Sequence, residues 1–227
     1  MLKPFIAEMI GTFGLVFAGT GAIMIDELSG GRVGNVGIGL TFGLIVSAMV
    51  HSTGHISGAH INPAVTLSLA LCRHFSWRSV PLYWAAQLMG AAAASAVLLA
   101  LLGEVGSMGS TLPSGSVWQS FGLEIVLTFF LMFVIMAVAT DTRAVGQTAA
   151  LAIGGTVALE AIFAGPISGA SMNPARSFGP ALTSGIWGTH WAYWAGPILG
   201  AAAGSVVYTF LRGQEHSVSN HREKRKP

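Results

Sequence analysis

Charged side chains make up only 9% of this 227-residue chain, against 52% hydrophobic residues, and the mean hydropathy is +0.66. That balance is hard to reconcile with a soluble domain and points to a polytopic membrane protein. Cysteine is nearly absent: Cys72 stands alone, which excludes an internal disulfide framework. The spacings that chemistry needs are missing too. No nucleophile with a neighbouring base, no metal-ligand cluster and no glycine loop followed by a phosphate-binding Lys can be found, so no enzyme activity, metal or cofactor is expected. The net charge of +2 comes largely from the tail His216–Lys226, read as a solvated segment near anionic lipid and not as a nucleic-acid binder.

What the chain has in quantity is apolar length. Six segments of roughly 17 to 23 residues can cross a bilayer: about 5–25, 34–52, 80–102, 118–140, 147–165 and 191–211. The first carries Glu8 and lacks an Ala-x-Ala end, so it reads as a transmembrane helix and not as a cleaved signal. In a six-span arrangement Lys3, Arg73, Arg78, Arg143, Arg212, Arg222, Lys224, Arg225 and Lys226 fall on one side, leaving Arg32 and Arg176 opposite. The positive-inside rule then places both termini in the cytoplasm. Compact loops and a short tail suggest a bacterial plasma membrane.

One stretch is written twice. Gly54-His-Ile-Ser-Gly-Ala-His-Ile-Asn62-Pro63-Ala64 and Gly165-Pro-Ile-Ser-Gly-Ala-Ser-Met-Asn173-Pro174-Ala175 agree at eight of eleven positions, 111 residues apart. The segments Tyr83–Ser95 and Tyr193–Ser205 agree at eight of thirteen, and Glu8 has a counterpart in Glu124. The chain is therefore a duplicated three-span unit. Three is odd, so the second copy enters the membrane from the opposite side, an inverted repeat. The Gly/Ser-rich linker Gly103–Ser116 joins the halves outside the cell. The result is an all-α fold of six transmembrane helices plus two re-entrant half-helices, one channel domain over residues 1–212 with repeats at about 5–102 and 118–211 and a basic cytoplasmic tail at 213–227. Small residues at four-residue spacing, Gly196, Gly200 and Gly204 on span six and Ala86, Gly90 and Ala94 on span three, are there for close helix packing.

Each repeated stretch ends in an Asn that can cap a helix and a Pro suited to its first turn. The segments that follow, about 63–73 and 174–184, are too short to span a ~30 Å core, so they are half-helices. The backbone of 54–61 and 165–172 is expected to be non-helical, lining a cavity. Two helix N-termini meeting near the midplane place positive dipole ends and the carboxamides of Asn62 and Asn173 around one point. A neutral oxygen-bearing solute is welcome there and a cation is repelled. The carbonyls of Gly58, Ala59, His60 and Ile61, and of Gly169, Ala170, Ser171 and Met172, are expected to be unpaired and to accept from water in single file.

These residues carry a resemblance. Two Asn-Pro-Ala triplets in an inverted repeat, with Arg176 after the second, resemble the aquaporins of the major intrinsic protein family over about residues 4–212. The resemblance implies a homotetramer with one pore per subunit and a selectivity filter built here from Phe42, Ala161, Ala170 and Arg176. Val65 stands where Arg176 stands in the other repeat, so one mouth alone carries the fixed cation. Ala at 161, where strictly water-selective relatives place His, and Ala at 170 resemble the bacterial and plant nodulin-like branch, which passes glycerol and undissociated metalloid acids as well as water. Ser177, Ala181, Tyr193 and Trp194 instead match the water-channel pattern. The filter sets the aperture and carries more weight, so the expected function is a passive channel for water and small uncharged solutes (glycerol, urea or metalloid acids) that excludes protons and ions. A mainly water-selective channel is the alternative. An ion channel or coupled transporter on a related inverted repeat is the alternative of another class.

Glu8 and Glu124 are intramembrane carboxylates and functional suspects by default. Their symmetry points to structural support, each accepting from backbone N–H groups of the neighbouring re-entrant loop. Glu160 has no equivalent in the first half and sits about 100° round the helix from Ala161, so a buried partner is expected for it. His60 is expected to contribute its carbonyl rather than a metal-binding or gating ring. His51 and His55 lie near the inner mouth, and Cys72 lies away from the outer one.

Overall fold

The computed structural model describes residues 1–141 and 148–213. Arg143 and nearly all of the expected basic tail lie outside the described residues. Among the described residues eight α-helices run in order: α1 Leu2–Leu28, α2 Gly34–Ser57, α3 Pro63–Leu71, α4 Val80–Leu102, α5 Val117–Ile135, α6 Ala149–Ser168, α7 Pro174–Ser184 and α8 Ala192–Arg212. A π turn, Met136–Thr140, prolongs α5. Six of these helices are long and apolar enough to cross a membrane, while α3 and α7, at 9 and 11 residues, are not. Away from its ends and its prolines, a spanning helix bonds its backbone polar groups internally, which is why hydrocarbon tolerates it.

The pairing of helices follows the inverted repeat. α1 packs on α4 and α5 on α8; α3 reaches across to α8 and α7 to α4; α2 and α6, the counterparts of each other, meet directly. Water-driven burial is not available between helices in lipid, so close backbone approach takes its place. Gly90 lies against the Met9 carbonyl and Gly200 against the Ile125 carbonyl, so close that a Cβ at either would overlap backbone. At the α2–α6 crossing Gly43 and Gly154 face each other's carbonyls in the same way.

One boundary differs from expectation. The first four residues of each repeated stretch, 54–57 and 165–168, continue α2 and α6. The helices stop at Gly58 and Gly169, whose φ of 87° and 85° suits glycine and lets each amide close on the carbonyl four residues back, Gly54 or Gly165. Irregular backbone is thus confined to 58–62 and 169–173. Even Pro166 is accommodated inside the last turn of α6.

Candidate functional site

Asn62 and Asn173 are extended residues that cap α3 and α7, their side-chain oxygens accepting from Ala64 N and Ala175 N at 2.9 Å in both cases. Pro63 and Pro174 occupy the first helical position, where a missing N–H costs nothing. The nitrogen of each carboxamide turns to the other half: Asn62 Nδ2 donates to Met172 O and Asn173 Nδ2 to Ile61 O, both at 2.8 Å. The expectation that Ile61 and Met172 present unpaired carbonyls is therefore corrected. The two half-helices meet, and each holds the last carbonyl of the opposing strand. Each Asn keeps one N–H free of that bond.

The strands leading to the triplets are strained. Ala59, Ile61, Ala170 and Met172 have φ of 46°, 41°, 40° and 54°, a region that side chains rarely adopt and a β-branched residue least of all. Each costs on the order of 1–3 kcal/mol unless its surroundings hold it. Two fully buried carboxylates do so. Glu8 accepts from Ser57 Oγ (2.7 Å), His60 N (2.9 Å), Ile61 N (2.7 Å) and Gln87 Nε2 (2.8 Å). Glu124 accepts from Ser168 Oγ (2.8 Å), Ser171 N (2.9 Å) and Met172 N (2.7 Å). With the amides drawn back to the carboxylates, the carbonyls turn the other way. Among the described residues no hydrogen bond ends on the carbonyls of Gly58, Ala59, His60, Gly169, Ala170 or Ser171. Tyr83 and Tyr193 fix the helix ends that launch the strands, donating to Ser57 O (2.8 Å) and Ser168 O (2.7 Å).

Two cavities lie in line along these strands. One, about 260 Å³, opens toward the side of the chain termini and is walled by Leu15, Val46, Leu131, Ile153 and Val157 opposite the strand 58–62. The other, about 330 Å³, opens toward the linker side and is lined by Asp26, Asn35, Ile38, Ala161 and Gly165. Phe42 and Arg176 are the residues common to both. Arg176 Cζ sits 4.9 Å from the centroid of the Phe42 ring, a cation–π contact. Gly19 leaves the space that the ring fills. Ala170 lines the terminus-side cavity and Ala161 the linker-side one, with Phe42 and Arg176 at the boundary between them.

A part of this constriction escaped the sequence reading. The linker folds back into the mouth: Gly109 O accepts from Arg176 Nη1 at 2.7 Å, and Thr111 Oγ1 donates to Ser177 Oγ at 2.8 Å. Met108, at 2% exposure, anchors the turn against Met24 and Leu98. A Met within a Gly/Ser-rich stretch was the available signal.

Of the remaining candidates, His60 Nδ1 lies 3.2 Å from Thr66 Oγ1. Thr66 spends its hydrogen on Asn62 O at 3.0 Å, so Nδ1 carries the imidazole proton. Phe75 and Tyr83 pack on the ring with centroids at 4.7 and 5.0 Å. His51 and His55 are exposed, and Cys72 Sγ accepts from Thr209 Oγ1 at 3.7 Å. The buried partner expected for Glu160 does not show among the described residues, where its Oε2 is buried without a hydrogen bond. Among the described residues no three His, Cys, Asp or Glu side chains converge as metal ligands would. On the linker-side surface His190 Nε2 accepts from Trp194 Nε1 at 2.9 Å, and partial burial lowers its pKa below that of a free imidazole.

Comparison with known proteins gives a consistent picture. The family described as "Major intrinsic protein" matches residues 1–208. Aquaporin NIP1-3 of Oryza sativa subsp. japonica is 54% identical over 208 residues, covering 91% of this chain and 73% of its own. Aquaporin NIP2-3 of Zea mays is 50% identical over 213 residues, covering 94% and 71%. Among solved structures, the aquaglyceroporin from Plasmodium falciparum matches with a TM-score of 0.80 at 27% identity, covering 92% of this chain and 94% of that one. These sequence relatives are plant proteins, so the bacterial expectation is not borne out.

Proposed function

The chain belongs to the major intrinsic protein family, and on that premise we propose that it passes water, glycerol and similarly small uncharged solutes in single file through the Phe42–Arg176 constriction while excluding protons and ions. It is a multi-pass membrane channel for water and small solutes. The observation that carries the solute range is the shared wall between the two cavities, where Ala161 and Ala170 stand beside Phe42 and Arg176. Two methyl groups leave an aperture that an imidazole at 161 would narrow.

The chemistry follows from the surroundings of the file. On one side six carbonyls without internal donors accept hydrogen bonds; on the other the wall is aliphatic. A solute with several hydroxyl or amino hydrogens exchanges its hydration for these acceptors. At the midpoint the remaining N–H of Asn62 and of Asn173 both donate to one oxygen, whose own hydrogens then point outward in both directions. A proton wire cannot cross that point. The N-termini of α3 and α7 aim positive dipole ends at the same place, and Arg176 adds a full positive charge at one mouth.

Ser177 and Tyr193, which match the water-channel pattern, are engaged elsewhere. Ser177 bonds Thr111 and Ser171, Tyr193 bonds Ser168 O, and neither lines either cavity. Their identity therefore bears on loop support and not on aperture. The single channel domain of residues 1–212, a homotetrameric assembly, cytoplasmic termini in a plasma membrane and the absence of a catalytic step complete the proposal.

Stopped-flow light scattering on proteoliposomes tests it, comparing osmotic shrinkage with re-swelling in glycerol, urea and arsenite. Fast shrinkage with measurable glycerol re-swelling is expected. Fast water flux with glycerol excluded would overturn the aperture argument, and a proton conductance would overturn the account of the Asn pair.

A further inference from the structure

The two pore strands are built on one plan, with one exchange. In the first half the imidazole of His60 fills the space behind the start of the strand 58–62: a Cβ on Gly58 would lie 3.1 Å from His60 Nε2 and 3.2 Å from Cδ2 of the same ring. The ring is a donor as well, since its protonated Nδ1 lies 3.2 Å from Thr66 Oγ1, which donates in turn to Asn62 O at 3.0 Å. Counting 111 residues on, Gly58, His60, Asn62 and Thr66 become Gly169, Ser171, Asn173 and Ser177. A Ser at 171 is too short to reach where the imidazole reaches. The linker fills the place instead. A Cβ on Gly169 would lie 3.0 Å from Thr111 Cα and 3.1 Å from Thr111 Cγ2, so Thr111 packs on Gly169 as the ring packs on Gly58. Thr111 Oγ1 donates to Ser177 Oγ at 2.8 Å, the counterpart of the bond from His60 to Thr66. From there a string of hydroxyls runs to the pore: Ser177 Oγ and Ser171 Oγ are 2.6 Å apart, and Ser171 Oγ donates to Asn173 O at 2.9 Å. A carbonyl has no hydrogen to give, so the hydroxyl hydrogens of the string all point from Thr111 toward Asn173. Every member is buried.

We propose that Thr111 is a positioning residue for the second pore strand: it stands in for the imidazole that this half lacks and, through Ser177 and Ser171, fixes the carbonyl of Asn173. The first half holds its Asn from within, because the second donor to Thr66 Oγ1 is Gln87 Nε2 of α4, at 2.9 Å. The second half borrows its support from the segment that joins the repeats and belongs to neither. That segment is tied down on both sides of Thr111, by Gly109 O on Arg176 Nη1 and by Ser114 N, which donates to Ile167 O at 2.9 Å. The path through the Asn pair therefore depends on the linker in one half only.

Hydrogen exchange of the full chain in lipid, read by mass spectrometry on peptides covering 58–62 and 169–173, compares the wild type with Thr111→Val and Thr111→Ser. Valine keeps a methyl against Gly169 and leaves Ser177 Oγ without its donor, whereas serine keeps the donor. Exchange within 169–173 is expected to be about fivefold faster in Thr111→Val, the factor of one hydrogen bond, with 58–62 unchanged. Thr111→Ser, the conservative variant, is expected to restore it. Glycerol and water flux per reconstituted channel should fall in Thr111→Val and recover in Thr111→Ser. Adding Thr111→Val to Ser177→Ala should change little further, because both cut the same string. Unchanged exchange within 169–173, an equal acceleration of both strands, or a second loss of full size in the double variant would overturn the proposal. Faster exchange with wild-type flux would reduce Thr111 to a structural contact and overturn its positioning role. The flux comparison rests on the channel reading and the exchange comparison does not. A wild type that conducts neither solute would overturn that reading and leave the exchange result to decide this one.

Discussion

Replacing each supporting carboxylate by its amide tests the loop architecture, and the two halves should respond unequally. Glu8 accepts four hydrogen bonds, two on each oxygen. A Gln there keeps one oxygen, so two of the four bonds are lost or must be rebuilt as a donor meets donors. Glu124 accepts two bonds on Oε1 and Met172 N on Oε2. A Gln at 124 placed with its oxygen toward Ser168 and Ser171 loses only the Met172 bond. Hydrogen bonds to a charged group contribute about 1.5–3 kcal/mol each. Glu8→Gln should therefore cost about 3–6 kcal/mol and Glu124→Gln about half of that. By the scaling of domains of this size, the gap corresponds to roughly 3–12 °C in midpoint. Thermal unfolding in detergent, followed by intrinsic fluorescence, measures it, and water flux should rank the variants in the same order. An equal loss in both, or a larger loss in Glu124→Gln, would refute the counting of donors.

Three further outcomes follow from the geometry. Ala161→His should sharply reduce glycerol permeability and retain water flux in the re-swelling assay, because the ring enters the linker-side cavity; unchanged glycerol passage would sink the filter assignment. Gly109→Ala should destabilise by about 1–3 kcal/mol, since φ is +69° and a Cβ would lie 2.8 Å from that of Thr20. It should also alter solute selection by shifting the carbonyl that holds Arg176, and a variant with wild-type stability and selectivity would refute the linker's role. His190 has a lowered pKa, so its contribution is present above the ordinary imidazole range and is lost as pH falls through the lowered value. Protonation of Nε2 breaks the Trp194 bond, and a tryptophan fluorescence change on acidification should disappear in His190→Phe.

Much of the fold was legible because hydrocarbon leaves few options: apolar segments of spanning length are helices, and the duplication shows in the paired triplets and the Tyr-Trp-Ala segments. Asn62, Asn173 and their prolines could be placed because capping is a local matter. The boundary at Gly58 and Gly169 was missed because Gly54, Gly165 and Pro166 look like breakers, and only tertiary packing shows that the helices run past them. The carboxamide bonds to Ile61 O and Met172 O join residues more than a hundred positions apart, which no local pattern encodes. The Gly109 carbonyl at Arg176 was hidden for another reason, since a backbone group leaves no mark on the residue type. Glu160 invited a buried partner by the usual rule for intramembrane acids, but among the described residues its buried Oε2 has no hydrogen bond.

The exchanged carboxamide bonds also constrain how the protein is made. Asn62 finds its acceptor at Met172, and the Ile61 carbonyl its donor at Asn173. During synthesis the first three spans can insert and pack, but their re-entrant strand has no latch until the second strand has been delivered from the opposite face of the membrane. Until then the strain at Ala59 and Ile61 is opposed only from within the first half, by Glu8, by the Ser57 hydroxyl that accepts from Ala59 N and by Tyr83. The pore is thus completed in one late event, and a chain arrested after α4 holds half of a wall and no conduit.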